Sequence, residues 1–341
     1  MLDIIDILDV SWMEFVQSHP EATVFHHPLW SIVISQNYGY RPFIAVMKSP
    51  NGQILAGLPM MEIDSWLTGK RWVALPFTDH CCPLLQNEDD LELFTRELIR
   101  KCNELNAPRI EIRHDLPLLT NLAGNSAYYI HYLRLDKKPE ELFKLFRQNN
   151  IRCIKKALKL GIVVSQSWEL ESMKTFYKLH LMTRKKLGVP TQPRKYFLQL
   201  WERIIKRQMG FIMLAYYESK AIAGVIFLHY NKKLIYKYGA TDPDYLNLCG
   251  NHALFWEVIQ WGCRNGFHLI DWGRTDKNQE GLRHFKLGWG TEEKELSYSY
   301  IGSVREDYSS GWKQKIIDTT IRKSPVWVGR VMGELLYKHV G

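Results

Sequence analysis

The chain has 341 residues, 46% hydrophobic and 24% charged, with 45 basic against 36 acidic side chains for a net charge of +9. This is the composition of an ordinary globular chain with room for about two domains, and it excludes a disordered, collagenous or disulfide-scaffold protein. Apolar runs such as Ala221 to Leu228 are far too short to span a bilayer, and Met1-Leu2-Asp3 is not a basic signal-peptide start, so the expected location is the cytosol.

The six cysteines show no CxxC spacing. Cys81 and Cys82 follow His80, but adjacent side chains point apart, so buried thiols are expected and no metal site is. The positive charge favours a polyanionic partner, which leaves nucleic acid, an anionic membrane face and a phosphate-rich substrate all open.

In chain order, Phe43 to Lys48, a turn at Ser49-Pro50-Asn51-Gly52 and Gln53 to Leu58 predict a β-hairpin. Arg71 to Phe77 predicts a third strand. Asp90 to Leu105 predicts a helix with Leu91, Phe94, Leu98 and Leu105 on its apolar face, and Arg109 to Arg113 predicts a short strand. Between Lys144 and Lys159 lie six cations and no acid. Arg152, Lys155, Lys156 and Lys159 share one helical face and Ile151, Ile154 and Leu158 another, with Gly161 as the stop and Ile162 to Val164 as the next strand. That basic face suits either solvent or an anion.

The first pattern then recurs. Phe211 to Tyr217, a turn at Glu218-Ser219-Lys220 and Ala221 to Ile226 form a second hairpin, matching the first down to Ala56-Gly57 and Ala223-Gly224. Leu234 to Gly239, a helix over Asn251 to Arg264 and a strand over His268 to Trp272 complete the repeat at an offset of about 160 residues, as two copies of one α+β domain would.

This order resembles the core of the Gcn5-related N-acetyltransferase (GNAT) fold, and the tandem pair resembles the FemAB-like acyl- and aminoacyltransferases. Three strings carry the likeness: Phe25-His26-His27-Pro28-Leu29-Trp30, Asn150 to Ala157 with Gly161, and Gly281-Leu282-Arg283-His284-Phe285-Lys286 with Trp289-Gly290. The resemblance implies an α+β chain of two tandem GNAT-like domains with mixed central sheets. Residues 1–135 and 136–302 are the expected copies, and 303–341 a basic amphipathic tail. It also implies an N-acyltransferase in which an amine attacks an activated acyl carbon directly and expels the carrier.

By the same resemblance Lys286, expected on a loop after Gly281, is the cleft cation, its other reading being a surface lysine, and Arg152, with Lys156 beside it, binds the anionic substrate. Asp271 is expected to be catalytic at the cleft, with Arg274 and Arg283 binding substrate, unless Asp271 and Arg274 form an ion pair that only ties a loop; His284 either takes the amine proton or is an ordinary loop histidine, and Trp30 is expected to bind the acceptor. Acyl-CoA-dependent members carry a glycine-rich phosphate turn; here the aligned stretch is Asn247-Leu248-Cys249-Gly250-Asn251-His252, which keeps only Gly250 as a cofactor-binding position. His252 is expected to crowd the turn, which disfavours coenzyme A and favours aminoacyl-tRNA as co-substrate, with no bound cofactor. No cation follows Trp30, so the acceptor amine stays open between a cell-envelope precursor and a small metabolite. The loop from Thr183 to Pro193 is expected either to cover the acceptor cleft or simply to connect. The tail, with Lys313, Lys315, Arg322, Lys323, Arg330 and Lys338 among Trp327, Val328, Val331, Leu335 and Leu336, suits packing on the domains or peripheral contact with an anionic inner-membrane face. The rival class is a non-catalytic RNA- or lipid-binding module, and the alternative donor is acyl-CoA.

Overall fold

The computed structural model describes residues 2–107, 109–117, 122–302 and 318–339. They form two compact units: Met1–Tyr128, Glu295–Tyr308 and Tyr337–Gly341 make the first, Tyr129–Lys294 and Ser309–Leu336 the second. Trp312, Lys313 and Lys315 of the predicted tail lie outside the described residues.

The first unit begins with β1 (Leu2–Ile5), α1 (Val10–Ser18), α2 (Pro28–Tyr38), β2 (Arg41–Lys48), β3 (Ile54–Ser65), β4 (Gly69–Val73), β5 (Leu84–Leu85), α3 (Asp90–Glu104) and β6 (Arg109–Ile112). The chain continues through β7 (Leu122–Arg134), α4 (Pro139–Leu145), α5 (Gln148–Lys159), β8 (Val163–Ser167), α6 (Leu170–Leu187), α7 (Arg194–Leu200), β9 (Gly210–Tyr217), β10 (Lys220–Tyr230) and β11 (Lys233–Thr241). It ends with α8 (Gly250–Arg264), β12 (Leu269–Asp276), α9 (Glu280–Leu287), β13 (Glu292–Gly302) and α10 (Val326–Leu336).

In the first unit the strands run in the order β1-β2-β3-β4-β6. Every pair is antiparallel except β4 and β6, which run parallel. The second unit repeats this as β8-β9-β10-β11-β12, again with one parallel pair, β11 and β12. Each sheet thus has the mixed character expected of the GNAT-like fold, with a long helix, α3 or α8, crossing over between its parallel strands.

The repeated Ala-Gly pair has a common physical cause. Ala56-Gly57 and Ala223-Gly224 each lie in the second strand of a hairpin, opposite Met47-Val46 and Ala215-Leu214 respectively. A Cβ on Gly57 would run into the Trp12 ring of α1, and one on Gly224 would stand 3.0 Å from the Phe176 ring of α6. In both units, an aromatic side chain from a helix earlier in the repeat occupies the space that the missing Cβ leaves open.

The outermost strand departs from a simple repeat. The strand that closes the first sheet is not the next in sequence: Ser299 to Gly302 of β13 pair antiparallel with Ile112 to Arg109 of β6. Beside β12 stands β7, which precedes the whole second repeat. Local sequence patterning holds no trace of this exchange, because two long strands of similar length fit either edge.

The basic segment is helical, as α5, and stops at Gly161 with φ +73°. Its buried residues are Asn150, Ile154 and Ala157. Leu158, expected on the apolar face, is 59% exposed because that arc centres one residue earlier. The Thr183 to Pro193 stretch is only partly a loop. Residues 183–187 finish α6, Gly188 turns the chain at φ +76°, and Thr191 is buried, its N–H donating to Gly329 O at 3.0 Å. A Cβ on Gly333 would strike the Thr191 carbonyl, so Gly329 and Gly333, one turn apart, let the α10 backbone lie directly on this loop. No described helix is long and apolar enough to cross a membrane.

Candidate active site

The second unit opens where its parallel strands part. The ladder joins Lys233–Ile235 to Leu269–Asp271, yet β11 runs on to Thr241 and β12 to Asp276. Asp271, the last paired residue, is 5% exposed, and its Oδ1 accepts from Gly273 N at 2.7 Å. Gly273 has φ +71°, so this bond pins β12 in a bend that suits glycine.

Lys286 reaches that bend. Its Nζ donates to the carbonyls of Gly273, at 2.8 Å, and Arg274, at 2.9 Å, and the residue is only 3% exposed. Rather than lying on a loop, Lys286 stands in the last turn of α9 and is buried. Glu280 opens that helix and Gly281 follows it, and Phe285 turns into an aromatic cluster with Trp272, Trp289 and Phe255 that fixes the helix on the sheet.

Two residues that the sequence did not single out complete the cluster. His131 of β7 is fully buried, 3.8 Å from Glu293 Oε2, and neither ring nitrogen has a hydrogen-bond partner among the described residues. Burial, and secondly the Lys286 ammonium, push its pKa down to about 4 against the pull of Glu293. Arg283 grips Glu293 with a two-pronged fork, Nε and Nη2 each 2.7 Å from a carboxylate oxygen, and lies 4.4 Å over the Tyr129 ring. That fork holds the Glu293 carboxyl below its ordinary pKa. No local pattern marks His131 or Glu293, because strand pairing across more than a hundred residues brings them together.

The other expected residues fall in several places. His284 is exposed and near Arg147, whose Nη1 lies 2.7 Å from its Nδ1. Two helical positions before Lys286 is about 200° around the axis, so it does not share that residue's face and is not placed to act with it. Arg274 is half-buried on β12 next to the bend. Arg152 and Lys156 are exposed on α5. Trp30 is wholly buried in the first unit, 5.1 Å from the Phe25 ring, and offers no surface to an acceptor. An indole in a run of apolar helix residues is core filling here.

Gly250 begins α8 and is buried. A Cβ there would meet Ile222 Cδ1 at 3.1 Å and Ala223 Cβ at 3.3 Å, so its smallness lets the helix sit on β10. Before it, Cys249 starts the helix at φ +61° with no side-chain cap, leaving backbone N–H donors at this end. His252, expected to crowd a phosphate turn, packs its ring against Trp289 and Phe285 at 5.7 and 5.9 Å.

One parallel strand pair per sheet, bridged by a crossover helix and repeated in two units, defines a tandem GNAT-like protein. Residues 144–287 match the family described as acetyltransferase (GNAT) domain. A lipid II:glycine glycyltransferase from Staphylococcus haemolyticus is 21% identical over 239 residues; the match takes in 49% of this chain and 57% of that protein, so it spans little more than half of the relative's length. Among solved structures, FemX aligns with a TM-score of 0.68 at 16% identity, over 92% of this chain and 100% of that one. A tandem GNAT protein from the clavulanic acid biosynthesis pathway aligns with a TM-score of 0.50 at 10% identity, over 90% and 100%. Residues 144–287 thus carry the likeness to the GNAT acetyltransferase family, and the chain has the FemX-like tandem GNAT fold.

Proposed function

We propose that the protein transfers an acyl or aminoacyl group from an activated carrier to an amine on a cell-envelope precursor, with aminoacyl-tRNA as the carrier. The observation that carries this reading is the buried Lys286 ammonium, fixed by two carbonyls at the point where β11 and β12 part. A cation held in so dry a place stabilises negative charge far better than one in water.

In the proposed reaction the acceptor nitrogen attacks the ester carbonyl of the carrier. The new C–N bond forms, the carbonyl oxygen becomes an oxyanion under the influence of Lys286, and the C–O bond to the carrier breaks. The ammonium proton of the intermediate passes to the Asp271 carboxylate and then to the leaving oxygen. Arg152 and Lys156, exposed on a strongly basic helix, and Arg274 supply charge for a polyanionic carrier. Placing residues 1–135 and 136–302 as two GNAT-like copies, with 303–341 as a tail, belongs to the same proposal.

The envelope acceptor is supported by the likeness to the lipid II:glycine glycyltransferase. Contact with an anionic membrane surface is supported by α10, where Trp327, Val331 and Leu335 share an exposed stripe beside Arg330. The deciding experiment incubates the full chain separately with aminoacyl-tRNAs and acyl-CoAs and follows deacylation with and without muropeptide and small-molecule amines. Acceptor-dependent release from aminoacyl-tRNA is the expected result. Release only from acyl-CoA overturns the donor, and no acceptor-dependent release from either overturns the proposal.

A further inference from the structure

Away from Lys286, two helices of the second unit bring together three metal-ligating side chains. Cys153 comes from α5, Cys249 from the residue that opens α8, and His252 from the first turn of α8. One Sγ or imidazole nitrogen of each lies within 4.8 Å of the others. None of the three is fully buried, so an ion has a path in. In sequence the group hides as Cys-x-x-His at 249–252 with its third member almost a hundred residues earlier, a spacing outside the usual zinc signatures.

We propose that Cys153, Cys249 and His252 form a binding site for one Zn²⁺ ion, with a solvent molecule in the fourth position.

The donor set matches the chemistry of that ion. Two thiolates and one imidazole form a borderline-soft set, and two thiolates neutralise a divalent cation. With Zn–S bonds of about 2.3 Å and a Zn–N bond of about 2.0 Å, tetrahedral ligand atoms stand roughly 3.5–3.8 Å apart. A span within 4.8 Å leaves a gap to that spacing that side-chain rotation can close. The His252 ring is already held between Trp289 and Phe285, which removes much of the freedom that a metal would otherwise have to freeze.

The backbone supplies an independent observation. Cys249 stands at φ +61°, in the left-handed region that glycine and asparagine occupy with least strain. A non-glycine residue held there at a helix start points to a use for its side chain, and its Sγ lies within 4.8 Å of a ligand atom of both Cys153 and His252. A bound ion would tie α5, with its basic face, to the start of α8.

The test uses the full chain, reduced and stripped with a chelator, then titrated with Zn²⁺ and with Co²⁺. One ion per chain is expected, and Co²⁺ should give a thiolate-to-metal charge-transfer band with the strong visible absorption of tetrahedral coordination. Cys153→Ser, Cys249→Ser and His252→Ala should each weaken Zn²⁺ binding at least tenfold, whereas Cys263→Ser, at the far end of α8, should bind as the unmodified chain does. Cys249→Gly is the decisive variant, because glycine suits the local φ: it should fold at least as well as the parent and still lose the ion. Unchanged binding in Cys249→Gly overturns the proposal. So does a reduced chain that retains no Zn²⁺, including one in which Cys153 and Cys249 merely pair as a disulfide on oxidation.

Discussion

Replacing Lys286 by methionine separates two roles that one ammonium can play. The substitution keeps the aliphatic stem and its packing but deletes both donors, so the Gly273 and Arg274 carbonyls lose bonds of 2.8 and 2.9 Å. Hydrogen bonds to a charged group are worth about 1.5–3 kcal/mol each. Taking the low end for both, since removing the ammonium also relieves its burial, the variant should be about 3 kcal/mol less stable. At roughly 2–4 °C per kcal/mol for a domain of this size, the unit holding Lys286 should melt about 6–12 °C lower. A loop lysine, as the sequence alone suggested, would leave Tm unchanged. Differential scanning calorimetry of the full chain measures the shift, and acyl transfer is then assayed well below the variant's Tm. There the rate should fall by a factor of about 10²–10³, as when one oxyanion donor is removed. A Tm within about 2 °C of the parent would refute the anchoring argument, and a near-parental rate would refute the catalytic one.

Four further outcomes are open to measurement. His131 is held near pKa 4, below its ordinary 6.5, so the unfolded chain takes up its proton first on acidification. Stability from this group is therefore full above pH 6.5 and drains towards pH 4, with a slope of at most about 1.4 kcal/mol per pH unit, and His131→Leu should flatten the acid limb of a urea-midpoint-against-pH curve; an unaltered limb rules the group out as a contributor. Arg283→Ala should raise the pH at which the Glu293 carboxyl titrates, followed by NMR of that carboxyl, and no movement would contradict the fork. Micromolar acetyl-CoA should give no saturable thermal stabilisation, since a ligand bound only by the folded state must raise Tm; clear stabilisation would reverse the donor preference. Gly333→Ala should push α10 off the Thr191 carbonyl and speed proteolytic cleavage between 303 and 339, and unchanged cleavage would show that the helix yields without loosening.

Much of the architecture is legible because it is local. Each hairpin is written in a run of β-formers around Pro, Asn, Gly or Ser, and the two appear as β2–β3 and β9–β10. The helices over 90–104 and 250–264 follow from spacing alone, and Gly161 stops α5 as its position predicts. The candidate site is legible only where one short string holds it, as with Lys286 and Arg283. His131, Glu293 and the Cys153–Cys249–His252 group depend on which strands and helices become neighbours, a choice made by packing over long separations. Trp30 and His284 show the opposite failure. A residue type suited to chemistry sits in a suggestive string, yet burial in one case and helical phase in the other turn it elsewhere.

The exchanged outer strand makes the chain's two units dependent on each other in time. Residues 295–302 complete the sheet of the first unit, and they leave the ribosome only after the second repeat has been made. Until then β6 presents an unpaired edge, a template for wrong pairings that the nascent chain carries through most of its synthesis. A gene cut between residues 135 and 136 should therefore yield two fragments that aggregate apart and regain their sheets only when expressed together. Unequal recombination that trades one repeat for another would face the same obstacle, because neither repeat contains all of the strands it folds with.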